Sequence, residues 1–253
     1  MHCNNAGGVG SVSAGGRVWS DNGKSGQYGI CGDPYNSDRQ TEAGGRQYRA
    51  GQVAATLVAG SDIDIELFIA TNHQGAVMFR ICDVGGFTDA ATEKSRLTEE
   101  CLDQVVLQRS DGEGPWGYLP RGPSSMPWSM KYRIPSNLRC THCVLHWYWV
   151  TGNSCKPPGV PDWALGDPML RECGKGPYPE EFWNCADVAI VGPSDPVPAP
   201  TPTKVPCLLN NVKRISPLHA RHCSPQPLNS SDAVAWLVMS QSAFFPVSNL
   251  LSL

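Results

Sequence analysis

Four residue types in this 253-residue chain have the chemistry and spacing to form a site: His73, the acidic pair at Glu180 and Asp187, Phe182, and a run of cysteines. His73 stands in Asn72-His73-Gln74-Gly75, directly after an apolar-alternating run. A histidine at a strand end can offer a ring nitrogen to a transition metal with open coordination. Read alone, it fits a surface loop histidine better than a ligand. Glu180, two residues before Phe182, is a carboxylate that could orient a bound oxygen species or pass a proton. Alone it reads as a solvated loop carboxylate, and Phe182 reads as core. Cys140-Thr141-His142-Cys143 allows zinc, a redox pair or a structural disulfide. Zinc needs a second pair at finger spacing, and a redox pair needs a strand-to-helix setting. The chain has neither, so disulfide use is expected.

The elements that must position these residues are short strands. Asp62 to Ile69 alternates acidic and apolar residues, which puts Ile63, Ile65, Leu67 and Ile69 on one face of a half-buried strand. Ala76 to Cys82 reads as a second strand. Gln74-Gly75 between them allows a tight connection, so the pair is expected to form a hairpin with His73 at its tip. Cys143 to Thr151 is dense in Val, Leu, Trp and Tyr and reads as a core strand with both faces occupied. Ala186 to Val191 supplies a closing strand. Residues 110–136 and 152–181 are rich in Gly and Pro and read as long loops. Residues 93–108 form the one stretch with room for a helical turn or two.

Composition agrees with a loop-rich β domain. The chain is 41% hydrophobic, with 26 Gly, 22 Pro and a net charge of −3. It carries no basic run that would suit nucleic acid, whereas a neutral polysaccharide makes no demand on charge. Eleven cysteines point to an oxidising compartment and hence to secretion. The opening Met1-His2-Cys3-Asn4 has neither the basic nor the apolar region of a signal peptide, so a start upstream of Met1 is expected. Gly192 to Thr203 is proline-rich and extended. The domain is therefore expected to span 1–191, the linker 192–206, and a disordered tail 207–253. Ala233 to Leu253 is too interrupted for a membrane span, and Ser230-Ser231 lacks the polar spacer of a lipid-anchor signal. Cys207, His219, His222 and Cys223 are spaced too irregularly for a zinc site.

Taken together, several blocks resemble the lytic polysaccharide monooxygenases of the chitin-binding type-4 class. They are Cys31-Gly32-Asp33-Pro34, Asn72-His73-Gln74-Gly75, Cys140-x-x-Cys143, Gly152-Asn153-Ser154-Cys155, and Phe182-Trp183-Asn184-Cys185-Ala186-Asp187. The likeness runs over residues 26–191. It implies an all-β immunoglobulin- or fibronectin-like β-sandwich with long disulfide-linked loops. It also implies one copper ion held by His73, an axial position filled by Phe182, and Glu180 beside the copper. The implied activity is oxidative cleavage of glycosidic bonds in insoluble polysaccharide, chitin first and cellulose second with pectin-like chains open, by a monomer supplied by an external electron donor. Tyr148, Trp149 or loop aromatics could stack on sugar rings, although aromatics in core strands more often simply pack.

Two features depart from the class. Its second copper ligand is a histidine at the mature amino terminus, whereas His2 follows Met1, so that ligand is expected upstream or at a processed His2. Tyr28 stands where relatives often have cysteine. Cys31, Cys82, Cys101, Cys140, Cys143, Cys155, Cys173 and Cys185 remain as an even set, with local bridges Cys82–Cys101 and Cys155–Cys173 expected and Cys3 left over. The alternative function is a secreted, non-catalytic chitin-binding protein with an incomplete copper site.

Overall fold

In the computed structural model, the residues described are 28–33, 38–46, 48, 52–69, 71–86, 89–124, 126–153, 155–165, 172–173, 180–196 and the backbone of 237–241. His2, Cys3, most of the linker and the tail cysteines and histidines lie outside them.

Two sheets form a sandwich. Strands β1 (Ala55–Val58), β2 (Asp62–Ile69), β3 (Gly75–Asp83), β4 (Gln108–Arg109), β5 (Gly117–Leu119), β6 (Met126–Arg133), β7 (Cys140–Val150), β8 (Glu181–Val191) and β9 (Leu237–Gln241) follow in chain order. One sheet runs β1-β8-β7-β3-β5 and the other β4-β6-β2-β9. The fold is the expected all-β sandwich. β9 pairs in parallel with β2, within the segment 207–253 that the sequence reads as a disordered tail.

The alternation in β2 turns Ile63, Ile65, Leu67 and Ile69 inward, where they meet Val77, Phe79, Ile81, Leu145, Trp147, Trp149, Phe182 and Ala186 from the facing sheet. The central strands β3, β7 and β8 are buried on both faces. Their outward residues Met78, Tyr148, Val150 and Trp183 pack under Tyr28, Trp116 and the segment Val160–Leu165. Tyr28 stacks on Trp183 with ring centroids 4.4 Å apart. Helix α2 (Glu99–Gln104) lies within the stretch expected to turn helically, and helix α1 (Ala90–Arg96) begins three residues before it. Asp89 and Thr98 cap them by accepting from the backbone N–H groups of Thr92 and Cys101.

The hairpin expected around His73 does not form. β2 pairs with β6 and β9, and β3 pairs with β5 and β7, so residues 71–74 lie on a crossing from one sheet to the other. The physical reason is burial. A strand buried on one face, like β2, suits an open layer, whereas β3 needs cover on both faces and neighbours on both edges. Residues 110–136 are also less loop-like than their Gly and Pro suggest. β6 turns Trp128, Met130 and Tyr132 inward between exposed neighbours. β8 begins at Glu181, five residues before the expected closing strand.

All eight cysteines of the even set are bridged, as Cys31–Cys185, Cys82–Cys101, Cys140–Cys143 and Cys155–Cys173. Both expected local bridges are among them, and Cys140-x-x-Cys143 is a disulfide.

Candidate functional site

His73 sits on the crossing between the sheets, and local chemistry fixes that crossing. The Asn72 side chain accepts from the Gln74 N–H at 2.7 Å, an Asx turn that reverses the chain. Its amide nitrogen donates to the Pro120 carbonyl at 3.1 Å, and its backbone N–H donates to the Ser124 hydroxyl at 3.0 Å. Gln74 takes φ +53° and Gly75 φ +112°. A Cβ on Gly75 would lie 2.0 Å from the Val150 carbonyl oxygen, so the close approach to β7 requires glycine. The Gly152 N–H donates to the His73 carbonyl at 3.0 Å.

Strand register delivers the other residues to the same end. Trp149 pairs with Phe182, and Val150 with Glu181. The Thr151 N–H extends that ladder to the Glu180 carbonyl at 3.0 Å. Trp149 stacks on Phe182 with centroids 4.9 Å apart, and the His73 ring lies 6.4 Å from Trp149 at an interplanar angle of 23°. The indole N–H of Trp149 donates to the Gln74 carbonyl at 2.8 Å, which ties the core ring to the crossing. His73 is half-buried, so its ring remains reachable from solvent while its backbone is held. Phe182 is 4% exposed and closes the end of the core behind it.

Glu180 is half-buried. Its Oε2 accepts from the Asn153 amide at 2.7 Å and, more weakly, from the Thr151 hydroxyl at 3.4 Å. Thr151 donates to Asn153 at 2.5 Å, so three side chains form one network. The sequence motif contained Asn153, but its partner emerges only when β7 and β8 are side by side. Tyr148 and Trp149 are buried, which removes them as sugar-stacking surfaces; Tyr148 donates instead to buried Glu181.

A second cluster lies at the other end of β7. The His142 Nε2 is 2.9 Å from Asp187 Oδ1, and its Nδ1 is 3.8 Å from Glu93 Oε2, with all three residues buried. Burial raises the Glu93 carboxyl above its ordinary range, against the pull of the Tyr48 hydroxyl bond and of His142. Burial and the bond to Glu93 likewise push the Tyr48 phenol upward. His142 and Val150 are eight residues apart on an extended strand, about 25 Å, so this cluster is separate from His73. Asp187, which the sequence motif links to Phe182, belongs to this cluster.

Among the described residues, no helix is long and apolar enough to cross a membrane. The family model for lytic polysaccharide mono-oxygenase, described as cellulose-degrading, matches residues 3–188. No curated protein matches the chain. Among solved structures, a lytic polysaccharide monooxygenase AA15 from Thermobia domestica, determined in the Cu(I) state, superposes with a TM-score of 0.52 at 29% identity. The alignment covers 65% of this chain and 77% of that one. The family match takes in β1 to β7, most of β8 and the His73 crossing, and the chain belongs to the lytic polysaccharide mono-oxygenase family.

Proposed function

We propose that the end of the sandwich carrying His73, Glu180 and Phe182 binds one copper ion and cleaves glycosidic bonds oxidatively in insoluble polysaccharide. Chitin is the first substrate and cellulose, which the family description names, the second. The observation that carries this reading is convergence. A reachable imidazole, a ring stack beneath it and a braced carboxylate meet where two sheets end. The donors fit copper: an imidazole is a suitable nitrogen ligand, and open coordination needs few protein donors. The remaining ligands are assigned to a histidine at the mature amino terminus, through its amine and ring. Secretion would expose such a terminus and suits the four disulfides.

When bound, copper supplies one-electron redox chemistry with oxygen or peroxide that leads to hydrogen abstraction from carbon at the glycosidic bond. The chain's own residues do the rest. His73 presents its ring nitrogen from a crossing locked by Asn72 and Gly152. Phe182, packed on Trp149, would keep water out of the core behind the ion's site. Glu180, oriented by Asn153 and Thr151, holds or passes a proton at its carboxylate.

The test starts from the secreted protein, whose amino-terminal residue is read by sequencing and intact mass. A chain beginning with histidine is expected to bind one copper tightly by calorimetry and to lose that binding in His73→Ala. Glu180→Gln is expected to keep copper and to slow release of oxidised oligosaccharides by about 10²- to 10⁴-fold. Equal copper affinity in wild type and His73→Ala would refute the assignment. Polysaccharide retention without copper would instead favour a binding protein.

A further inference from the structure

Among the described residues, two large apolar side chains stand exposed, Trp163 at 52% and Met126 at 41%. Isolated exposed apolar residues are ordinary. These two gather at one end of the sandwich, and it is the His73 end. Met126 pairs in register with Ile69, the last residue of β2, and Ser124 just before it holds Asn72. Trp163 lies in the short 3-10 turn Asp162–Ala164, which packs against β5, whose Leu119 pairs with Gly75. Beyond the turn, the Leu165 carbonyl lies so close to Gly152 that a Cβ there would be 2.6 Å away, and Gly152 donates to His73. Met126 therefore flanks the His73 crossing over the four-stranded sheet, and Trp163 flanks it over the five-stranded sheet.

The turn that shows Trp163 is well anchored. Val160, Ala164 and Leu165 are buried in the outer core cluster. Lys156 bridges Asp162 and Glu172, both at 2.5 Å, and Cys155–Cys173 closes the segment. Burying two residues beside an indole while leaving the indole in water forgoes about 25 cal/mol per Å² of apolar burial. Among the described residues of this segment, the charges of Lys156, Asp162 and Glu172 are paired with one another.

We propose that Trp163 and Met126 are substrate contacts: the Trp163 indole stacks on the C–H face of a pyranose ring, Met126 contacts a ring further along, and a neutral polysaccharide chain so held crosses His73. An indole supplies a broad, rigid apolar face with a polar edge, and a thioether adapts its shape to a neighbouring ring. The assignment rests on the proposed function for its substrate class, and on geometry alone for the residues.

Retention on insoluble chitin and on cellulose is measured without reductant for wild type, Trp163→Ala, Trp163→Phe, Met126→Ala and His73→Ala. Trp163→Ala is expected to weaken retention about threefold to tenfold. Met126→Ala should give a smaller loss in the same direction, and Trp163→Phe should recover most of the binding. His73→Ala should still be retained from copper-free buffer. Thermal midpoints of the Trp163 variants should match wild type, because the replaced side chain is exposed. Wild-type retention in Trp163→Ala and Met126→Ala, or no wild-type retention on either polymer, would overturn the inference. Trp163-dependent retention by a chain that neither binds copper nor oxidises polysaccharide would uphold it and defeat the enzyme reading. Oxidised products with retention indifferent to Trp163 would do the reverse.

Discussion

Replacing Gly75 by alanine perturbs the His73 crossing without removing a functional side chain. Gly75 holds φ +112°, a region in which an L-residue is strained by about 1–2 kcal/mol. The added Cβ would also lie 2.0 Å from the Val150 carbonyl oxygen, 2.8 Å from the Gly152 nitrogen and 2.8 Å from the Thr151 Cα. These are backbone atoms of the β7 end, so relief requires the strand or the crossing to move, at about 1–3 kcal/mol. The combined destabilisation is about 2–5 kcal/mol, and the thermal midpoint should fall by roughly 5–15 °C for a domain of this size. Movement there also disturbs the Gly152 bond to His73 and the Trp149 bond to Gln74. Copper affinity should therefore drop in the molecules that remain folded. Thermal unfolding and calorimetric copper titration of Gly75→Ala check both parts. A midpoint within a degree of wild type would refute the close-packed crossing; a large loss of stability with unchanged copper affinity would refute its coupling to His73.

Two further predictions concern the frame around the site. Burial raises the Glu99 carboxyl, but hydrogen bonds and charge from the fully buried Arg80 outweigh it and bring the value to about 2 from 4.5. A depressed carboxylate stabilises the fold above its unfolded value and loses that contribution as pH falls through the folded one. Unfolding free energy should therefore drop by about 2 kcal/mol from this pair between pH 5 and 2, discounted for the partial exposure of Glu99. Glu99→Gln should flatten that part of the urea-stability profile, and an unchanged slope would remove the pair as its cause. The Cys31–Cys185 bridge spans 154 residues and Cys82–Cys101 spans 19. Paired serine replacement should cost about 5 kcal/mol for the first and about 3 for the second on the chain-entropy account, an order that chemical denaturation checks.

Much of the architecture is legible in the sequence because its physics is local. The alternation of Ile63, Ile65, Leu67 and Ile69 fixes which face of β2 is buried, and the run from Cys143 to Val150, apolar but for His146, marks a strand covered on both faces. The sequence alone does not fix the cysteine connectivity, and the structure joins the expected local pairs Cys82–Cys101 and Cys155–Cys173. The candidate residues His73, Glu180 and Phe182 were legible through their motifs. Their surroundings were not, since Trp149 meets His73 and Phe182 through strand register and a crossing between layers.

The sequence by itself determined the strand periodicities, the even cysteine set and the residue types able to hold a metal, each a property of neighbours along the chain. Only the tertiary structure decided that β2 and β3 belong to different sheets, that Asn153 and Thr151 brace Glu180, and that Trp163 and Met126 flank one histidine. Those outcomes depend on how strands of unequal burial sort into layers, a long-range packing choice that a turn signal such as Gln74-Gly75 cannot encode.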